Sequence, residues 1–255
     1  MNKAAARELT VGLLGGLGPF ATLDFMAKVL EATGAERDQD HLHLIVDCNP
    51  KVPNRNTALA GTGPSPGPML AAMAHRLEAA GAEFPVMACN RAHAWEADIR
   101  AAVRIPLVSI VAETVAEVAQ RTPVGTGCGV LAAEGCRHAR LYERALEAAG
   151  FRAIVPERAH EERFMELLYR IKAGERGTAM REAMADLARG LVDRGAAIVV
   201  AGCTEVPLVL PADALSVPLI DSTAVLARAT VAYARCLRPP PAATAGRAPA
   251  AFSTA

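Results

Sequence analysis

Short apolar runs alternate with longer stretches of helical period along most of the chain, the pattern of parallel sheets covered by helices. The runs that predict strands are residues 10–14, 42–47, 84–88, 107–110, 129–132, 152–155, 197–201 and 218–220. Between them, residues 21–32, 69–80, 92–102, 111–120, 140–149, 161–173, 178–194 and 223–237 are rich in Ala, Leu, Glu and Arg and predict helices, several ending at Gly. The expected class is α/β. Two segments break the rhythm. Residues 49–68 contain Pro50, Pro53, Pro64, Pro66 and Pro68 with three glycines, which predicts a long irregular loop of functional kind. From Arg238 to the end the chain is rich in Pro and Ala with almost no large apolar residue, so residues 238–255 are expected to stay disordered.

The two halves echo each other. Phe84-Pro-Val-Met-Ala-Cys89-Asn90 and Ile198-Val-Val-Ala-Gly-Cys203-Thr204 both run from an apolar strand into a Cys followed by a small polar residue. Each Cys falls just past the carboxyl end of a strand, where open α/β sheets bind their ligands. Two similar domains facing each other would bring both thiols to one cleft. Borders near Ala112 and Pro211 give a first domain of residues 1–112 plus 212–237 and a second of 113–211, with the last strand and helix returning to the first.

Composition narrows the function. In 255 residues, 27 basic and 27 acidic side chains cancel, and no Lys/Arg-rich run supplies a local field, so nucleic acid is not an expected partner. No apolar stretch approaches the roughly 20 residues that cross a bilayer, and the N-terminal residues lack the apolar core of a secretion signal. A cytoplasmic protein without membrane contact is expected. The six cysteines form no Cys-x-x-Cys and have no His at zinc-finger spacing, which disfavours a metal site and a disulfide framework. A thiol of pKa about 8.5 must drop by about 1.5 units, roughly 2 kcal/mol, to be half ionised at neutral pH. A helix start beside Cys89 contributes about 0.3 to 1 kcal/mol, so other groups must supply the rest. The ordinary alternative for either Cys is a buried, inert thiol.

Four motifs in order are similar to the aspartate/glutamate racemase family: Gly15-Gly16-Leu17-Gly18-Pro19-Phe20-Ala21-Thr22, Pro53-Asn54-Arg55, Ala88-Cys89-Asn90-Arg91-Ala92-His93 and Gly202-Cys203-Thr204-Glu205-Val206-Pro207-Leu208. The resemblance implies two similar α/β domains with the site between them, no cofactor, a homodimer, and Cys89 and Cys203 on opposite sides of an amino-acid substrate. One thiolate would remove the α-proton while the opposite thiol returns one to the other face. Inversion through a planar carbanion needs such an acid and base on opposite faces. The substrate α-carboxylate would be held by backbone N–H groups of Asn90, Arg91 and Ala92 at a helix start, with Thr204 in the same part beside Cys203.

An acidic substrate needs cations. Arg55 can grip a carboxylate with two prongs, and Lys172 resembles the family's second cationic position, seen in aspartate-specific members. Their ordinary alternatives are a loop-bracing contact for Arg55 and a solvated helix face for Lys172. The sequence departs from the family pattern at Arg91, commonly Thr, and at Ala133 and Cys136, where hydroxyl residues are usual. His93 is expected to be structural, and Glu205 to orient rather than carry a proton.

Other classes remain open. Gly16-x-Gly18-x-x-Ala21 with Asp47 loosely fits a dinucleotide-dependent oxidoreductase, although Pro19 interrupts the fingerprint and Asp47 lies beyond the usual interval of about 20 residues. A pyridoxal enzyme would have to use Lys3, Lys28, Lys51 or Lys172, none with a phosphate-loop context. A decarboxylase or cis/trans isomerase of the wider superfamily, and a non-catalytic amino-acid binder, could use the same cleft.

Overall fold

The computed structural model describes residues 7–239 and 241; residues 1–6, 240 and 242–255 lie outside, and with them nearly all of the expected disordered tail. Two parallel sheets carry the chain. The first has the order β2-β1-β3, with β1 at Val11–Gly15, β2 at Leu44–Cys48 and β3 at Phe84–Met87. The second has the order β5-β4-β6-β7, with β4 at Gly127–Leu131, β5 at Arg152–Ile154, β6 at Ile198–Ala201 and β7 at Leu219–Asp221. β1 and β4 are equivalent: each lies between the strand that follows it and the strand that ends two residues before a cysteine. The α/β class and the two similar sheets agree with the sequence.

Strand side chains alternate between two apolar layers because both faces of each sheet are covered. Val11, Leu13 and Val86 of the first sheet and Cys128, Val130 and Val200 of the second share one continuous core. Into that core pack α1 (Pro19–Thr33), α5 (Ile110–Arg121), α7 (Leu141–Ala148) and α10 (Ser222–Ala234). α3 (Gly67–Ala79) and α4 (Glu96–Ala102) cover the outer face of the first sheet, while α8 (Arg158–Lys172) and α9 (Thr178–Asp193) cover that of the second. α5 leaves the first sheet yet packs on α7, and α10 leaves the second yet packs on α1. This exchange of helices joins the lobes.

Several expectations need correction. The last strand does not return to the first sheet: β7 pairs with β6, Val199 opposite Leu219, because the corresponding edge of β3 is occupied by Val108. Val108 donates its N–H to the carbonyl of Pro85 at 3.1 Å, and that single bridge is all that forms of the strand expected at 107–110. Pro106 lacks an N–H, and the Ser109 side chain already accepts from Ala112 to cap α5. The helix expected over 92–102 is a 3-10 turn, Arg91–Trp95, followed by α4. The long loop is interrupted by α2 (Arg55–Leu59), which fits between Pro53 and Gly61 and is capped by the Asn54 side chain accepting from the Asn56 N–H. The short α6 (Glu134–His138), unexpected from sequence, packs against α2 through Gly135, where a Cβ would lie 2.8 Å from Leu59.

A buried hydrogen-bond chain fastens one lobe to the other. Tyr142 of α7 donates its hydroxyl to Asn90 Oδ1 at 2.5 Å, Asn90 Nδ2 donates to Ser222 Oγ at 3.2 Å, and Ser222 Oγ donates to the carbonyl of Ala201 at 2.7 Å. Tyr142→Phe leaves Asn90 Oδ1 without this donor in a buried position, which costs about 1–3 kcal/mol. Urea unfolding of the variant is expected to show that loss, with an unchanged slope.

Candidate active site

The same chain of hydrogen bonds sets the distance between the two cysteine loops. Cys89 precedes Asn90, and Ala201 ends the strand that leads into Cys203, so the bridge Asn90–Ser222–Ala201 clamps one loop to the other. Both thiols are buried, each in a residue 4% exposed. Gly202 permits the approach: a Cβ there would lie 2.8 Å from the ring of Tyr142. His93 holds the Cys89 loop from behind. Its Nδ1–H donates to the Cys89 carbonyl at 2.9 Å and its Nε2 accepts from the Ile110 N–H at 3.2 Å. Burial pushes the His93 pKa down, which suits this neutral, fixed tautomer. A His bonded on both ring nitrogens is a brace, as the sequence suggested.

A cleft of about 270 Å³ is walled by loop and helix residues of both lobes, among them Gly18, Arg55, Arg91, Tyr169, Lys172 and Glu205. Neither Cys89 nor Cys203 is part of this wall; Arg91 and Glu205, each two residues past a cysteine, are. Burial of the Arg91 guanidinium, 5% exposed as a residue, works against the charge, but Cys203, Cys89 and Glu205, in their ionised forms, outweigh it and raise the pKa. Arg91 donates to Asn56 Oδ1 at 2.6 Å, and Asn56 in turn donates to the hydroxyl of Tyr169 at 3.2 Å. The irregular loop of the first lobe therefore reaches α8 of the second and steadies Arg91 on the way.

Arg55 follows its ordinary alternative in part. Its guanidinium donates to the backbone carbonyls of Leu17 at 2.6 Å, Pro53 at 3.0 Å and Val52 at 3.1 Å, bracing the loop. Its buried Nε has no partner among the described residues. Neither Arg55 nor Arg91 pairs with a carboxylate among the described residues. Lys172 is not a solvated helix residue: it closes an ion pair with Glu205, which is only 4% exposed. The other carboxylate oxygen of Glu205 accepts from the thiol of Cys203 at 3.0 Å and from Thr204 Oγ1 at 3.3 Å. Lys172 and the thiol hydrogen bond hold the Glu205 pKa down against the opposing effect of burial. Burial first, and the Glu205 charge second, push the Cys203 thiol well above its ordinary pKa.

The structure thus places Arg55, Arg91 and Lys172 on the cleft wall, Cys203 and Thr204 against Glu205, and Cys89, Asn90 and Ala92 buried in the adjoining turn. Sequence reasoning missed Asn56 and Tyr169, although Tyr169 lies one helical turn before Lys172. It undervalued Glu205, whose position two residues after a site cysteine mirrors that of Arg91 after Cys89.

Two buried thiols thus stand at equivalent strand ends, and Arg55, Arg91 and Lys172 lie on the wall of a cleft between the two α/β lobes. The sequence profile of the Asp/Glu/Hydantoin racemase family matches residues 14–230, and the chain belongs to that family. The broad specificity amino-acid racemase RacX of Bacillus subtilis (strain 168) is 25% identical over 228 residues, 87% of this chain and 96% of that protein. Among solved structures, the aspartate racemase of Picrophilus torridus is 25% identical with a TM-score of 0.80, covering 89% of this chain and 94% of that one. An aspartate racemase homologue from Pyrococcus horikoshii OT3, 24% identical over 88% of this chain and 98% of its own, shares the fold with a TM-score of 0.70.

Gly18 gives a test of the wall. A Cβ at this position would lie 2.5 Å from Glu205 Oε1 and 3.0 Å from Lys172 Nζ, so a side chain must push the ion pair aside. Gly18→Ala is expected to lower turnover at least about tenfold, the effect of roughly 1.4 kcal/mol on a barrier. Its thermal unfolding should stay within a few degrees of the parent.

Proposed function

We propose that this chain racemises an acidic amino acid, aspartate or glutamate, without a cofactor, by exchange of protons with Cys89 and Cys203 on opposite faces of the α-carbon. The observation that carries this reading is the pair of buried cysteines at equivalent strand ends of the two sheets, each followed two residues later by a residue, Arg91 or Glu205, on the wall of one small cleft. In the forward direction one thiolate takes the α-proton and the opposite thiol gives its own to the other face; in reverse the roles exchange. A carbanion next to a carboxylate is stabilised by spreading its charge into that carboxylate, so a fixed cation or donor there lowers the barrier. Arg91, with the N–H groups of the turn at Asn90, Arg91 and Ala92, is suited to this part, and Thr204 to the corresponding part beside Cys203.

The substrate class follows from charge. Glu205 already neutralises Lys172, while Arg55 and Arg91 lack carboxylate partners among the described residues. Two guanidiniums in one cleft favour a ligand with two carboxylates over a neutral amino acid or an uncharged ring such as a hydantoin. A volume of about 270 Å³ lies below the roughly 300–1,000 Å³ typical of pockets for drug-sized ligands, and so disfavours a dinucleotide. The loop after β1 is also filled: a Cβ at Gly16, whose φ is +80°, would lie 2.4 Å from the backbone N of Asn49. A homodimer in a reducing, cytoplasmic compartment belongs to the same reading, on the family resemblance and on six free cysteines.

Incubation of one enantiomer of aspartate or glutamate in deuterated water is expected to give the opposite enantiomer carrying α-deuterium, read by chiral chromatography with mass detection. Cys89→Ser and Cys203→Ser should each slow racemisation about 10²–10⁴-fold. Absence of α-exchange from both substrates, or full activity in either cysteine variant, sinks the reading.

A further inference from the structure

The two thiols stand in unlike surroundings, and the difference has a function. We propose that Glu205, anchored by Lys172, is a positioning residue that fixes Cys203 as the proton-donating thiol of the resting enzyme, leaving Cys89 to take the first proton from substrate. The proposal rests on the racemisation reading above and extends it to the order of events.

The argument begins with a carboxylate that has little freedom. Glu205 is buried, with one oxygen on the Lys172 ammonium and the other shared by the Cys203 thiol at 3.0 Å and the Thr204 hydroxyl at 3.3 Å. Gly18 lies against the same ion pair, close enough that a Cβ there would be 2.5 Å from Glu205 Oε1. An ionised carboxylate only accepts hydrogen bonds, so the contact with sulfur requires the proton to be on Cys203. Removing that proton would set two anions against each other at hydrogen-bond distance in a site sheltered from water. The charged and titratable groups facing Cys203 are Glu205 on its own loop, Lys172 from α8, Arg91 from the turn after Cys89, and Tyr142 from α7. Arg91 and Lys172 favour the thiolate, but burial and the near carboxylate act more strongly the other way. Cys89 shares the field of Arg91, whereas the hydrogen bond to Glu205 belongs to Cys203.

One turnover inverts this arrangement. Cys89 leaves the step carrying the substrate proton, and Cys203 is left as a thiolate beside Glu205. That form returns to rest by taking up a proton at Cys203 and losing one from Cys89, through solvent or through the opposite enantiomer. Racemisation has an equilibrium constant of one, so kcat/KM is the same in both directions whatever the enzyme does. The asymmetry must therefore appear in kcat and KM taken separately, with the two enantiomers differing in each.

The proton on Cys203 can be followed without turnover. In a Cys89→Ser background, alkylation of Cys203 by iodoacetamide, mapped by peptide mass spectrometry from pH 6 to 11, reports its thiolate directly. Adding Glu205→Gln is expected to lower the midpoint by about one unit or more, so that alkylation near pH 9 is about tenfold faster. Adding Lys172→Gln instead removes a cation and should move the midpoint up. A variant that merely loosens the fold would expose the thiol and speed alkylation in both cases, so opposite shifts are the signature. With both cysteines present, the ratio of kcat values for the two enantiomers should narrow toward one in Glu205→Gln and be restored in part by Glu205→Asp. An unmoved midpoint in Glu205→Gln, or shifts of the same sign in both variants, overturns the proposal while leaving racemisation intact. The expected opposite shifts with no α-exchange on aspartate or glutamate would instead support the Glu205–Cys203 coupling and remove the function to which it was attached.

Discussion

The apolar layer between the two sheets holds the cysteine loops at a fixed spacing, and the cleft exists because that layer belongs to both lobes. Val11, Leu13 and Val86 on one side and Val130, Val200 and Ile220 on the other bury their side chains in the same core. Burial at about 25 cal/mol per Å² of apolar surface makes a core of this kind costly to divide. Two of the four helices that fill it arrive from the opposite sheet, α5 packing on α7 and α10 on α1, so neither lobe has a complete covering of its own. Lys28 of α1 adds an ion pair at 2.8 Å to Asp221, the residue that caps α10 and ends β7. Hinge motion about this layer would have to open the core, and small adjustments are left to the loops at the strand ends.

Against that rigid background the site concentrates charge that would be costly elsewhere. A buried guanidinium needs acceptors and counter-charge, yet Arg91 has the amide oxygen of Asn56 and no ion pair with a carboxylate among the described residues. Arg55 spends its donors on three backbone carbonyls and is held in place without being neutralised. Such an arrangement favours whatever anion enters the cleft, and it avoids the reorganisation that flexible, water-exposed cations require. The paired Lys172 and Glu205 differ in kind: their charges offset each other, and Glu205 accepts from the Cys203 thiol.

Most of the scaffold was legible because parallel strands buried on both faces are continuous apolar runs. Residues 84–88 and 197–201 could hardly be anything else, and the cysteines after them were conspicuous. Pairing was less legible. The strand at 218–220 was recognised but assigned to the wrong sheet, since the choice rests on which edge is free, and Val108 had taken the edge of β3. The small helix at Arg55–Leu59 hid among prolines that turn out to flank it. In the site, residue types pointed to Arg55 and Lys172 as substrate cations, while their neighbours in space could not be read from the chain. The Lys172–Glu205 pair joins positions 33 residues apart, and Asn56 meets Tyr169 across 113.

Equivalent positions in the two halves end in opposite charges, and under the proposed reading this is how a near-symmetric scaffold carries chemistry that is not symmetric at rest. Cys89 and Cys203 each follow the third strand of the same three-strand arrangement by two residues, and two residues further on stand Arg91 in one lobe and Glu205 in the other. A two-sided proton transfer needs the symmetry of position, because the acid and base must reach the same carbon from opposite faces. It also needs an asymmetry of protonation, because two thiols or two thiolates would be idle. In the proposed reaction, a cation beside one strand end and an anion beside the other supply that asymmetry, and the Thr-to-Arg departure at position 91 becomes half of a complementary pair.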